Sequence, residues 1–209
     1  MRGCCRDGET HQGIFDLSYL SHIPNLTVLA PKNRYELEDM LSFALSFPGP
    51  VAIRFPKGDA YSGLKQYRTP IELGKSEKII EGKAVAILAV GSMVKTGKEV
   101  VDLLAAKGRK ATLVNVRFIS PVDEEILEEL AKNHRLFVTL EENVKSGGYG
   151  EKVSDYLSCG KKHNVGHINI SIPDMFVEHG GVKELQEKLG LDAESIVKRI
   201  EKELGRKGV

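Results

Sequence analysis

The sequence predicts an α/β protein with a mostly parallel sheet, laid out in two successive units, and three observations carry that expectation. Unbroken apolar runs, such as Ala84-Val85-Ala86-Ile87-Leu88-Ala89-Val90, suit strands buried on both faces of a parallel sheet. Between such runs apolar residues recur at helical spacing, so strands and helices alternate as they do in right-handed βαβ units. A stretch over 63–82, with Gly63, Pro70, Gly74 and Gly82 among polar residues and no strong period, reads as a linker between a first unit (1–62) and a second (83–209).

Taken in order, Ile14, Phe15, Leu17 and Leu20 predict a short packed helix over 14–20, following a polar stretch that ends at Gly13. Residues 26–30 are apolar, partly β-branched and stopped by Pro31, which suits a buried strand. Asn33 can cap a helix over 34–47, where Leu37, Met40, Leu41, Ala44 and Leu45 form the apolar stripe and Glu36, Glu38 and Asp39 sit early, where the dipole favours acids. Pro48-Gly49-Pro50 stops it. The next strand, 51–55, delivers Arg54 and Lys57 at its carboxyl end, the end at which open sheets bind ligands. A short β-like piece is expected near Ile79-Ile80.

The second unit opens with the strand at 84–90, after which Gly91-Ser92 turns into a helix carrying Val94, Val100, Val101, Leu103 and Leu104. A strand over 111–116, a helix over 121–133 opened by Pro121 and Asp123, and a strand over 136–140 follow. Gly147-Gly148-Tyr149-Gly150 leads into a helix through Leu157, residues 167–172 form a fourth strand, and 183–189 and 192–204 are helical.

Composition excludes several classes of function. Among 209 residues, 30 basic and 29 acidic side chains leave a formal charge of +1, which points to neither nucleic acid nor a membrane surface. The Lys-rich runs near 183–188 and 198–207 read as solvated helix faces. Cys4, Cys5 and Cys159 are odd in number and lack metal-ligand spacing, so no metal site is expected and a reducing cytosol fits. With no apolar leader and no segment of membrane-spanning length, a cytoplasmic protein is the expectation.

The chemistry concentrates in Asp7-Gly8-Glu9-Thr10-His11-Gln12-Gly13. Loops that enter helix N-termini line the ligand crevices of α/β proteins and favour anions, and a histidine in such a loop can donate, accept or shuttle a proton. Read alone, the stretch is more simply a polar turn with Asp7 or Thr10 as an N-cap. Gly91-Ser92 and Gly147-Gly148-Tyr149-Gly150 could cradle a phosphate but lack the Gly-rich fingerprint of nucleotide sites. Glu141 and Glu142, neighbours at a strand end, point to opposite faces, so capping the next loop is the better reading than a shared acid/base pair. His134, His163, His167 and His179 have no spacing that assembles a metal site, and surface or interface roles are expected of them. His22 lies near His11, on the packed helix.

The run over 7–31, with Tyr19-Leu20-Ser21-His22-Ile23-Pro24-Asn25 and Val28-Leu29-Ala30-Pro31, resembles one family: the 1-deoxy-D-xylulose-5-phosphate synthases, transketolase-like thiamine diphosphate enzymes. Gly49-Pro50-Val51-Ala52-Ile53-Arg54-Phe55-Pro56-Lys57-Gly58, Ala89-Val90-Gly91-Ser92, Asn115-Val116-Arg117-Phe118-Ile119-Ser120-Pro121-Val122-Asp123, Glu141-Glu142-Asn143 and Ile172-Pro173-Asp174-Met175-Phe176-Val177 continue the resemblance in order. It covers nearly everything after residue 6, and several spaced signatures together are far more specific than any one.

The resemblance implies part of a pyrimidine-binding α/β module (1–62) followed by a complete transketolase C-terminal-like domain (83–209) that serves mainly structure and dimerisation. It implies a transferase that joins pyruvate to glyceraldehyde 3-phosphate with loss of carbon dioxide, giving 1-deoxy-D-xylulose 5-phosphate for isoprenoid, thiamine and pyridoxal synthesis. His11 matches the family's catalytic histidine and Asp7 the acid that contacts substrate hydroxyls. Lys57 stands where the family has a phosphate-gripping arginine, keeping the charge without the bidentate fork. Arg54 matches a secondary substrate position. Met1-Arg2-Gly3-Cys4-Cys5-Arg6 departs from the family's Arg-Ala-Gly approach to the motif. The glutamate that activates the cofactor and the module that binds its diphosphate and Mg2+ would precede Met1, so the chain alone is expected to be inactive, to bind little cofactor, and to dimerise. Residues 1–6 are expected to be disordered, and the loop at 7–13 to be mobile for want of its neighbours. A non-catalytic α/β dimerisation or binding module is the alternative.

Overall fold

In the computed structural model, which describes residues 9–58, 60–159 and 165–206, two sheets carry the chain. The larger holds β3 (Glu77–Ile80), β4 (Ala84–Ala89), β5 (Thr112–Asn115), β7 (His134–Val144) and β8 (Gly166–Ile172), in the order β3-β5-β4-β7-β8. Its pairings are parallel except at the β3 edge, which runs antiparallel to β5. The smaller sheet has the order β2-β1-β6 and contains β1 (Thr27–Leu29), β2 (Val51–Ile53) and β6 (Phe118–Ser120). The helices are α1 (Asp16–Leu20), α2 (Arg34–Ser46), α3 (Met93–Ala106), α4 (Glu124–Ala131), α5 (Tyr149–Ser158), α6 (Val182–Leu189) and α7 (Ala193–Arg206). None of the helices in the described residues is long and apolar enough to cross a membrane.

The unbroken apolar run of β4 is explained by what covers each face. Val85, Ile87 and Ala89 join a cluster with Val100, Leu104, Ile196 and Ile200, under α3 and α7. Ala86, Leu88 and Val90 point the other way, into a cluster with Leu127, Leu130 and Val153 of α4 and α5. That second face also receives Leu17, Val28 and Ala30 of the first unit, so α1 and β1 share a core with the larger sheet.

Local sequence explains most element ends. Asn33 caps α2 as expected, its Oδ1 accepting the Glu36 N–H at 2.9 Å. Asp123 caps α4, accepting the Ile126 N–H at 3.1 Å, so this helix begins after Asp123 rather than at Pro121. Two apolar stripes are corrected. Leu41 and Leu45 of α2 are exposed, Leu45 at 90%, because the buried face of the helix carries Glu36 and Met40 instead, and Leu103 of α3 is exposed as well.

Sequence reading also missed β6. After β5 the backbone turns at Arg117, whose φ of 43° lies in the left-handed region, and the chain enters the smaller sheet, where Phe118 pairs with Leu29 and Ser120 with Val28. Phe118 packs on Met40 and Leu29, and its ring meets Phe43 edge-on with centroids 5.9 Å apart.

Behind β6 lies a four-charge network whose side chains are only 1–2% exposed. Lys32 Nζ donates to Glu36 Oε1 and Glu77 Oε2, each at 2.7 Å. Arg117 bridges the same acids, at 2.8 Å to Glu36 and 3.0 Å to Glu77, and Asn115 Nδ2 donates to Glu36 Oε1 at 2.8 Å. Burial alone would raise the Glu77 pKa, but Lys32, the Thr69 N–H and Arg117 outweigh it and hold the carboxyl below the ordinary glutamate range. Two cations thus balance two carboxylates, with Lys32 and Glu36 from the first unit, Glu77 from the linker and Arg117 from the second unit.

Candidate functional site

The polar stretch singled out in the sequence forms a 3-10 turn (Glu9–His11) that leads through buried Gln12, Gly13 and Ile14 into α1. His11 is exposed on an open cleft of about 840 Å³ that it shares with Phe15, Tyr19, Arg54, Phe55 and Lys57. The cleft stands at the carboxyl end of β2, where the smaller sheet presents its loop residues. Asp7 and the expected disorder of residues 1–6 lie outside the described residues.

Two details of the loop correct the sequence reading. α1 begins at Asp16, well beyond His11, and the field of a helix terminus fades within its first turn, so His11 is not in that field. Nor does the loop want for neighbours at residues 12–14. Gln12 Nε2 donates to Val177 O at 2.7 Å, Val144 N donates to Ile14 O at 2.8 Å, and Arg54 reaches Gly13 O. All of these ties except Arg54 come from the second unit.

Arg54 and Lys57 are divided by burial. The Arg54 side chain turns inward, and its Nη2 donates to Glu142 O at 2.5 Å and to Gly13 O at 3.4 Å, which fastens the loop to the end of β7. Lys57 is exposed on the rim, and with Phe55 it separates the cleft from a second cavity of about 610 Å³ between α2, α3 and α6.

The motifs of the second unit have structural employment. Glu141 is fully buried and accepts the first N–H groups of α5, Tyr149 Oε2-bound and Gly150 Oε1-bound, at 2.8 Å each. A Cβ at Gly148 would stand 2.6 Å from that carboxylate, and one at Gly150 2.4 Å from Asn169, so these glycines permit close packing and leave no room there for a phosphate. Glu142 faces elsewhere, accepting from Ser92 Oγ at 2.9 Å and Gln186 Nε2 at 3.0 Å, and so brings a carboxylate to the Gly91-Ser92 turn. Both acids lie within β7, which runs on to Val144 beyond the expected strand end.

Of the histidines expected in surface or interface roles, His134 is buried and His167 is half-buried. The sheet pairs His134 at the start of β7, where its ring meets Thr112 Oγ1 and Leu130 O. His167 on β8 sits between Thr139 Oγ1 and Ser154 Oγ. His22 is exposed in the turn after α1, its Nδ1 2.6 Å from Ser18 O; His179 is exposed, and His163 lies outside the described residues.

Burial pushes the Glu141 carboxyl up to about 7, against the Gly150 and Tyr149 N–H groups, and pushes His167 down to about 4. The signs oppose. Folded Glu141 keeps a proton that the unfolded chain releases above about 4.5, so it lowers stability as pH rises towards 7; His167 refuses a proton that the unfolded chain takes up below about 6.5, so it raises stability over nearly the same range. In the parent chain the two largely cancel. The H167Q variant is therefore expected to lose about 3 kcal/mol of stability relative to the parent between pH 4.5 and 7, read as the difference between their urea midpoints at a series of pH values, in which the groups both chains share, His134 among them, drop out.

The comparisons with known proteins agree with this architecture. The transketolase C-terminal domain matches residues 74–196, and the transketolase pyrimidine binding domain matches residues 1–62. A 1-deoxy-D-xylulose-5-phosphate synthase of Lachnoclostridium phytofermentans is 57% identical over 199 residues, which cover 95% of this chain and 32% of that protein. One from Dictyoglomus thermophilum is 46% identical over 195 residues, 93% of this chain and 31% of that protein. Among solved structures, a chain described as split gene transketolase, inactive beta4 tetramer, superposes with a TM-score of 0.80 at 29% identity, covering 93% of this chain and 62% of that one. The transketolase of Campylobacter jejuni shares the fold, with a TM-score of 0.69 at 20% identity over 94% of this chain and 29% of that one. The chain spans about a third of the length of the curated relatives it matches. It belongs to the transketolase family through its C-terminal domain, and its curated relatives are 1-deoxy-D-xylulose-5-phosphate synthases.

Proposed function

We propose that this chain forms one side of the active cleft of a 1-deoxy-D-xylulose-5-phosphate synthase, a cytoplasmic thiamine diphosphate enzyme joining pyruvate to glyceraldehyde 3-phosphate with loss of carbon dioxide. The observation that carries the reading is that His11 and Lys57 line one cleft, in a chain 57% identical to such a synthase along nearly its whole length. His11 exchanges a proton with the carbonyl oxygen of the acceptor aldehyde as the new bond forms. Lys57 holds the acceptor's phosphate as a point charge, Asp7 accepts from its hydroxyls, and Arg54 acts from below by fixing the loop.

The aromatic side of the cleft, Phe15, Tyr19 and Phe55, fits the heterocycle of the cofactor. When bound, thiamine diphosphate supplies the electron sink that decarboxylation requires.

The chain by itself is expected to make no 1-deoxy-D-xylulose 5-phosphate and to gain turnover when the remaining two-thirds of a synthase is supplied, as a separate polypeptide or in one chain. Assay with pyruvate, glyceraldehyde 3-phosphate, cofactor and magnesium checks this, and turnover by the chain alone would refute it. A second reading, a self-associating module without catalysis, draws on the solved relative described as an inactive tetramer and on the exposure of Leu103, Met175, Phe176 and Val182 in the second unit. In either reading the chain is a dimer or larger, held largely through residues 83–209. Gain of turnover in the reconstituted mixture separates the readings, because the second predicts none.

A further inference from the structure

α1 has no cap of its own. Phe15 occupies the N-cap position and makes no side-chain capping bond, which would leave the Leu17 N–H without an intrahelical partner. The partner arrives from the second unit. Asn143 Oδ1 accepts the Leu17 N–H at 3.2 Å, and Asn143 Nδ2 donates to Ser18 Oγ and to Val144 O, each at 2.8 Å. Ser18 Oγ in turn donates to Ser146 O at 2.6 Å. Asn143 is fully buried, and an amide engaged at both ends out of water holds a single orientation.

These bonds bear on the loop that carries His11. Asn143 lies beyond the register of β7 with β4, which ends at Leu140, and inside the irregular stretch between Leu140 and Val144 of its pairing with β8, so its amide serves no strand pairing, and an apolar residue of the same size would fill the space. What the amide adds is a fixed start for α1, and with the adjoining Val144 N to Ile14 O bond it sets the point at which the loop leaves His11. We propose that Asn143 is a positioning residue for His11, capping α1 across the two units so that the imidazole is held over the cleft. The proposal rests on the catalytic reading of His11 given above.

The test uses the full chain and the N143A variant. Ring ¹H–¹⁵N spectra of the histidines and the rate of His11 modification by diethyl pyrocarbonate, located by mass spectrometry, are the readouts. In a folded variant the His11 ring signals are expected to shift and its modification to change about tenfold, with the His134 signals unmoved. A role in stability alone would lower the urea midpoint and leave the His11 signals of folded molecules where they were; that result overturns the proposal. Should N143A fail to fold, the parent chain decides: His11 modification and Leu17 amide exchange must share one dependence on sub-denaturing urea, and independent opening overturns the proposal. None of these readouts needs turnover. A reconstituted enzyme without activity would therefore refute the proposed function and leave the positioning of His11 to be judged by the spectra.

Discussion

Replacing Arg117 with methionine is expected to cost about 3–5 kcal/mol of stability, the range for removing one partner of a buried ion pair. The guanidinium is 2% exposed and binds Glu36 and Glu77 as well as the carbonyls of Thr69 and Pro70, so its loss strands two carboxylates against one remaining cation, Lys32. Neither acid can turn to water, because their side chains are also 2% exposed. Urea unfolding at pH 7 gives the measurement. The E36Q/R117M double variant, which removes a charge of each sign, should recover part of the loss, and equal losses in the single and double variants would show that the charges do not act together. Acid weakens the parent network in a stated direction. Because the folded Glu77 pKa lies below its ordinary value, the stability it contributes is present above that value and is lost as pH falls through the folded pKa.

His11→Asn should leave stability within about 0.5 kcal/mol, as exposed substitutions do, while lowering kcat of the reconstituted enzyme about 10²–10⁴-fold, the usual contribution of a positioned proton donor or acceptor. Asparagine keeps a hydrogen-bonding side chain of similar reach but cannot take up a proton at neutral pH. The combination is diagnostic: a large fall in turnover without a change in the urea midpoint places His11 in the chemistry. Turnover within threefold of the parent would remove it from that role.

How much was legible depended on whether the signal was local. The apolar run of β4, the Asn33 cap and the Asp123 cap can each be read within a few residues, and each appears in the fold. The first half of the candidate site was similarly legible, because Lys57 follows a short strand and His11 precedes a short helix, and the structure sets both on one cleft. The failures are long-range. Phe118-Ile119-Ser120 is too short and too close to β5 to be parsed as a separate strand, and only pairing with Val28 and Leu29 makes it one. Glu36 was legible only as an early acid favoured by the helix dipole, because its partners, Arg117 and Asn115, lie far along the chain. The partners of His134 and His167 were not legible, because a single histidine carries no sign of the hydroxyls that will meet it. Nor could the sequence show that Asn143 caps a helix begun at Asp16.

The β6 strand decides when the first sheet can exist during synthesis. Residues 27–29 and 51–53 leave the ribosome before the third strand of their sheet, 118–120, which follows only after β3, β4, α3 and β5 have been made. At ordinary elongation rates that interval lasts on the order of seconds, far longer than local helix or hairpin formation takes. Throughout it, Leu29 and Met40 lack Phe118, and Glu36 lacks Arg117. The amino-terminal unit therefore waits on the carboxyl-terminal one, and the nascent chain matures from its later half backwards.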